Sequence, residues 1–273
     1  MQKTKVRLPI LLIVVTVIAA CFLRFFQLIH YTDISTGLVT DGFNLSYTIY
    51  GLLFLIMIIS IGNGIAFTKR CETVFSDNHN RKIVFSSAFA ALCMFADFVN
   101  QCHNCYFYVA DSEYIEYGYM IPLGISVCFA LVSSFYFMTV FITARGGNFD
   151  IKKLIWLHFT PIIWAVFRLI SITAKFINLE SGIEIALEFL FLTSFIFFWF
   201  SVMLSFDGRK KSTDIVLTVT SVFSFCLSAV LFLPEILFAL INFEANYKSF
   251  VITSLCYMSL GIIALCFCGR DNS

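Results

Sequence analysis

Eight long apolar runs divide the chain, and short polar stretches separate them. They cover approximately Leu8–His30, Leu45–Phe67, Ile83–Ala110, Met120–Ala144, Leu154–Ile177, Ile183–Phe206, Ile215–Ile241 and Ser249–Cys268. Runs of about 20 apolar residues are long enough to cross a bilayer as helices. The pattern therefore predicts an all-α membrane bundle of eight spans. No polar stretch is long enough to be a separate soluble domain, so residues 1–273 read as one membrane domain.

The third run breaks its own pattern. In Ala96-Asp97-Phe98-Val99-Asn100-Gln101-Cys102-His103-Asn104-Cys105, the polar residues Asp97, Asn100, Gln101 and Asn104 recur at helical spacing. On a helix they share one face. Lipid cannot satisfy such a face, so it must look into the bundle or a watery cavity.

Charge orients the spans. The N-terminus carries Lys3, Lys5 and Arg7. The 2–3 connection carries Lys69, Arg70, Arg81 and Lys82, the 4–5 connection Arg145, Lys152 and Lys153, the 6–7 connection Arg209, Lys210 and Lys211, and the C-terminus Arg270. The opposite connections hold Lys248, with Lys175 at a span end, and the acids Asp33, Asp41, Asp111, Glu113, Glu116 and Glu180. The positive-inside rule then makes both termini cytoplasmic.

Composition agrees. The chain is 60% hydrophobic and 13% charged, with a mean hydropathy of +0.90. A soluble domain is about a quarter charged. The net charge of +1 argues against a nucleic-acid partner.

Six ionisable residues lie in the outer halves of the spans: Arg24, Asp97, Arg168, Lys175, Glu188 and Glu235. At 1.5 Å per residue, Arg24 sits about 24 Å up its span from the basic end, and Asp97 and Arg168 about 21 Å. Such charges would be untenable facing lipid. They predict a shared polar site between spans 1, 3, 5, 6 and 7, open outward, with the charge-free spans 2, 4 and 8 as an outer ring. The candidate ligand residues are Arg24, Gln27, Asp97, Asn100, Gln101, Asn104, Arg168, Glu188 and Glu235. Arg24 and Arg168 suit a carboxylate or phosphate. Asp97 and Glu235 suit an amine, a cation or a proton. Pro161 and Pro234 free backbone carbonyls nearby. The competing reading is a set of internal ion pairs that fix packing, Arg24 with Asp97 and Arg168 with Glu235.

Three function classes follow. One is binding, sensing or transport of a small polar solute, driven by an ion or proton gradient if transported, with Asp97 as proton carrier. The second is a non-catalytic scaffold or partner of another membrane subunit. The third is an intramembrane enzyme acting on lipid or thiol around Asp97, Cys102 and His103. No P-loop, zinc-protease or serine-hydrolase motif is present, so a non-enzymatic role is favoured and no cofactor is expected. The last two spans have no lysine to carry retinal.

Most of the ten cysteines lie singly in apolar runs and read as small hydrophobes. Cys102 and Cys105 form a C-x-x-C at an outer helix end, open to a disulfide or thiol chemistry. A metal site from Cys102, His103, Cys105 and Asp97 needs ligands that a straight helix does not bring together, so no metal is expected. Val17-Ile18-Ala19-Ala20-Cys21 has the form of a lipoprotein cleavage box, but Phe22-Leu23-Arg24-Phe25-Phe26 continues the apolar run, so span 1 stays a helix. Asn44-Leu45-Ser46 fits a glycosylation acceptor, relevant only in a eukaryotic host.

The pattern also admits a four-plus-four parallel repeat, halves 1–144 and 145–273. Arg24 precedes Thr36-Gly37 much as Arg168 precedes Ser181-Gly182, and spans 3 and 7 both open with Ile-Val and carry an outer acid.

The run Leu23-Arg24-Phe25-Phe26-Gln27-Leu28 leading into Thr32-Asp33-Ile34-Ser35-Thr36-Gly37 resembles a pattern in uncharacterised polytopic membrane proteins of Gram-positive, gut-type bacteria. The resemblance implies a bacterial plasma membrane. It implies no activity and assigns no site residue.

Overall fold

The computed structural model describes residues 2–32, 43–67, 81–111, 115–146, 156–176, 182–206, 211–241 and 248–268. The helices are α1 (Gln2–Tyr31), α2 (Phe43–Phe67), α3 (Arg81–Asp111), α4 (Tyr117–Ala144), α5 (Thr160–Phe176), α6 (Gly182–Phe206), α7 (Lys211–Ile241) and α8 (Lys248–Cys268). Thr36-Gly37, Ser181, most of the loop charges and the side chains of Asn44, Lys175, Glu184 and Lys248 lie outside the described residues. Seven helices are long and apolar enough to cross a membrane, and the apolar part of α8, Val251–Phe267, is shorter. The chain is thus an all-α, multi-pass helical bundle.

The apolar runs become helices close to where the pattern places them, though α1 starts earlier, at Gln2, and α5 starts later. Span 5 was expected from Leu154. Its α-helix starts at Thr160, after a 3-10 turn over residues 156–159. Pro161 explains this. A proline has no backbone N–H to donate, so it fits the first turn of a helix and not its interior.

Helices α3 to α8 close a ring. Each packs on the next, and α8 returns to α3. The α1–α2 pair packs on the outside of α7. Both show large apolar side chains outward, among them Leu11, Val15, Ile18 and Phe22 on α1 and Phe54, Ile58 and Ile65 on α2. A bilayer would cover those faces.

This packing corrects two expectations. Helix α8 is not in an outer ring. Ser254, Cys256, Tyr257, Ser259, Leu260, Ile263, Ala264 and Phe267 are all buried, and α8 packs on α3, α6 and α7. A helix that is apolar all round and lacks charge is suited to burial on every side. Helix α1, which carries Arg24, is the peripheral one, and Arg24 points inward from it. Helix α7 packs on α1, α2, α6 and α8, and α3 packs on α4 and α8.

Close approach between helices rests on small residues. A Cβ on Gly261 of α8 would overlap the Ser228 side chain of α7. A Cβ on Gly64 of α2 would lie 2.5 Å from Val219 Cγ2 of α7. Ser134 of α4 donates to the Ala91 carbonyl of α3 at 2.8 Å, and the Ser194 and Ser224 hydroxyls join α6 to α7 at 2.7 Å.

An aromatic column fills the ring. Tyr136, Phe137, Phe198, Trp199 and Phe267 pack near the C-terminal ends of α4, α6 and α8, Trp164 and Phe195 in the middle, and Phe191, Phe232 and Tyr257 toward the opposite end. His158 stands in the 3-10 turn before α5, beside Tyr136. Its Nδ1 meets the Tyr136 hydroxyl at 2.7 Å, and its carbonyl accepts from Trp199 Nε1 at 2.8 Å. A 3-10 turn leaves carbonyls outside the α-helical ladder, and the indole takes one of them.

Candidate functional site

The intramembrane charges form two clusters, one on each side of α8. The first joins α1, α2, α7 and α8. Arg24 Nη2 lies 3.5 Å from Glu235 Oε1, with the two side chains 1% and 9% exposed. Arg24 Nη1 donates to Gln27 Oε1 at 2.8 Å, and Gln27 Nε2 donates to Ser46 Oγ at 2.6 Å. Ser254 Oγ donates to Glu235 Oε2 at 3.1 Å. Arg24 and Gln27 are three residues apart, so one helical turn brings them together. Pro234 lies beside this cluster. Its missing N–H leaves the Val230 carbonyl without its usual helical donor. The neighbouring Ala229 carbonyl accepts from the Cys21 thiol at 3.4 Å, a contact between α1 and α7.

The second cluster joins α3, α5, α6 and α8. Arg168 Nε lies 3.8 Å from Glu188 Oε1, and these side chains are 16% and 24% exposed. Tyr257 sits between them. Its hydroxyl accepts from Arg168 Nε at 3.0 Å and donates to Glu188 Oε1. Asp97 is buried behind the pair. Thr253 Oγ1 donates to Asp97 Oδ1 at 3.2 Å, and Gln101 Nε2 donates to Asp97 Oδ2. Asn100 and Gln101 are buried on the same face of α3. Asn104, one turn further out, is exposed. Cys105 and Tyr119 lie within electrostatic range of Arg168.

The pairing differs from expectation. Arg24 pairs with Glu235, not Asp97, and Arg168 pairs with Glu188, not Glu235. The reason lies in helix neighbours. Helix α1 packs on α7 and not on α3, and α5 packs on α6. The single polar site expected between five helices is accordingly two clusters. Adjacent residues of α8 link them, with Thr253 on Asp97 and Ser254 on Glu235.

Four contributors were not anticipated: Ser46, Thr253, Ser254 and Tyr257. They are hydroxyl side chains, which carry no charge or amide to mark them within an apolar span. The available signal was three hydroxyls at 253, 254 and 257 in an apolar run. Buried carboxylates and guanidinium groups need such donors and acceptors to satisfy the lone pairs and N–H groups an ion pair leaves over.

Of the C-x-x-C, Cys105 lies within electrostatic range of Arg168, while Cys102 and His103 turn away from the cluster. Cys102 and His103 are exposed and Cys105 is partly buried, and both thiols are free. Asp97 points into the bundle, so it does not converge with Cys102 and His103. Among the described residues, no group of three or more His, Cys, Asp or Glu side chains is placed to hold a metal ion.

No protein family, curated protein or solved structure matches the chain.

Proposed function

We propose that this is a multi-pass protein of a bacterial plasma membrane that binds a small polar solute at the Arg168–Glu188–Asp97 cluster, for transport or sensing. Both termini are cytoplasmic in this reading and the cluster faces outward. The loop charges and the resemblance in span 1 support that membrane and orientation.

The observation that carries the proposal is the contrast between the two ion pairs. Arg24 and Glu235 are sealed at 1% and 9% exposure, as a structural pair should be. Arg168 and Glu188 are more open and farther apart. An Arg and a carboxylate side by side can receive a zwitterion, the guanidinium taking a carboxylate through paired N–H donors and the glutamate taking an ammonium. Tyr257 holds both in place. Cys105 and Tyr119 lie within electrostatic range of the guanidinium.

The sealed Arg24–Glu235 pair favours the scaffold reading for its own side of the bundle. A protein with only a scaffold role would show no solute response at the other cluster. The test is thermal unfolding of the purified protein in mild detergent with free amino acids, betaines and small sugars. One class is expected to raise the midpoint by several degrees, as mass action requires for a ligand of the folded state. Arg168→Gln should abolish that rise and Cys102→Ser should keep it. No response to any class, with another membrane subunit co-purifying, would establish the scaffold reading instead.

A further inference from the structure

We propose that Cys102 of α3 and Cys128 of α4 are a redox pair that closes into a disulfide on the lipid side of these two helices, with a lipid-soluble quinone as oxidant. Neither residue belongs to the solute cluster. Two contacts set the register of the helices and make them antiparallel. Ser134 Oγ donates to the Ala91 carbonyl at 2.8 Å, and the Tyr108 and Tyr119 rings lie 5.6 Å apart. Cys102 and Cys128 both fall between those contacts. At 1.5 Å per residue they differ in height by about one helical turn, Cys102 standing nearer the tyrosines. Side chains lean toward the N-terminus of their own helix. In this antiparallel pair Cys102 therefore leans toward Cys128, and Cys128 leans back toward Cys102. The two thiols lie within electrostatic range of each other.

Cys105 is the rival partner, three residues along the same helix. Residues at that spacing hold their Cβ atoms about 5–6 Å apart. A disulfide needs about 3.5–4.5 Å. Helix α3 runs unbroken from Arg81 to Asp111, so a Cys102–Cys105 bond would have to unwind it. A bond between α3 and α4 leaves both helices whole.

Exposure selects the oxidant. Cys102 and Cys128 are both exposed and both free. Leu92 and Val99 on α3 and Ile121 and Phe135 on α4 are exposed around them. Such an apolar surface suits acyl chains. A quinone dissolves there, and glutathione and other charged thiol reagents do not. In the step, each thiol gives up one proton and one electron and the Sγ–Sγ bond forms. The quinone takes both electrons and both protons and leaves as the hydroquinone. The bond fastens α3, which carries Asp97 and Gln101, to α4.

The experiment uses the full-length protein in lipid vesicles, reduced with dithiothreitol, desalted and then treated without oxygen with duroquinone, whose fully substituted ring does not add to thiols. The intact mass is expected to fall by two hydrogens. Peptide mapping without reductant should recover the segments around Cys102 and Cys128 joined. The mass loss should persist in Cys105→Ser and vanish in Cys102→Ser and in Cys128→Ser. Should either of those variants fail to fold, the wild-type peptide map decides. No mass loss with the quinone overturns the proposal. So does a loss that survives Cys128→Ser, or a map that joins Cys102 to Cys105. None of these outcomes depends on a solute, so failure here is separable from failure of the solute site.

Discussion

Arg24→Leu is expected to destabilise the protein by about 3–5 kcal/mol, because removing one partner of a buried ion pair strands the other. Arg24 is 1% exposed and reaches Glu235 at 3.5 Å and Gln27 at 2.8 Å. Without it, Glu235 keeps Ser254 as a donor but loses its cation. The midpoint in detergent should fall by on the order of 10 °C. The double variant Arg24→Leu, Glu235→Leu should recover most of the loss, since apolar replacement of a whole buried pair is often neutral or better. Only this pairing makes that prediction. If Arg24 instead paired with Asp97, Glu235→Leu would add a second loss. A single variant as stable as wild type would show that the pair does not hold α1 to α7.

Tyr257→Phe is the second large effect. The substitution keeps the ring, which packs against Phe232 at 4.6 Å and Phe191 at 5.3 Å between centroids. It removes only the hydroxyl that joins Arg168 to Glu188. Arg168 and Glu188 each lose a hydrogen-bond partner and keep only each other at 3.8 Å, at a cost of about 1–3 kcal/mol. The solute response should be lost along with the stability, because the guanidinium and carboxylate are no longer held. Thermal unfolding with and without the responding solute class reads both effects. Full stability with a full solute response would remove Tyr257 from the site.

The helices were legible because hydropathy and the cost of unpaired backbone in lipid leave few choices for a long apolar run. The inward face of α3 was legible too. Asp97, Asn100 and Gln101 recur at helical spacing, and all three are buried. Asn104 follows the same spacing but lies near the end of α3, where burial ends. Partner choice was not legible. Whether Arg24 meets Asp97 or Glu235 depends on whether α1 packs on α3 or α7, and helix periodicity says nothing about neighbours. The place of α8 was not legible for a related reason. Absence of charge does not put a helix at the periphery, because charges inside a bundle need neutral partners, and Thr253, Ser254 and Tyr257 supply them.

In the proposed function the Arg168–Glu188 cluster is reachable from outside while the Arg24–Glu235 pair is sealed. Single cysteines report this directly in intact cells, in a background in which all ten native cysteines are changed to Ser or Ala. Glu188→Cys should react with a membrane-impermeant maleimide added outside, and Ser254→Cys, beside the sealed pair, should not. If Glu188→Cys stays unlabelled until the cells are opened, the cluster is closed or faces the cytoplasm, and the outward-facing site is wrong.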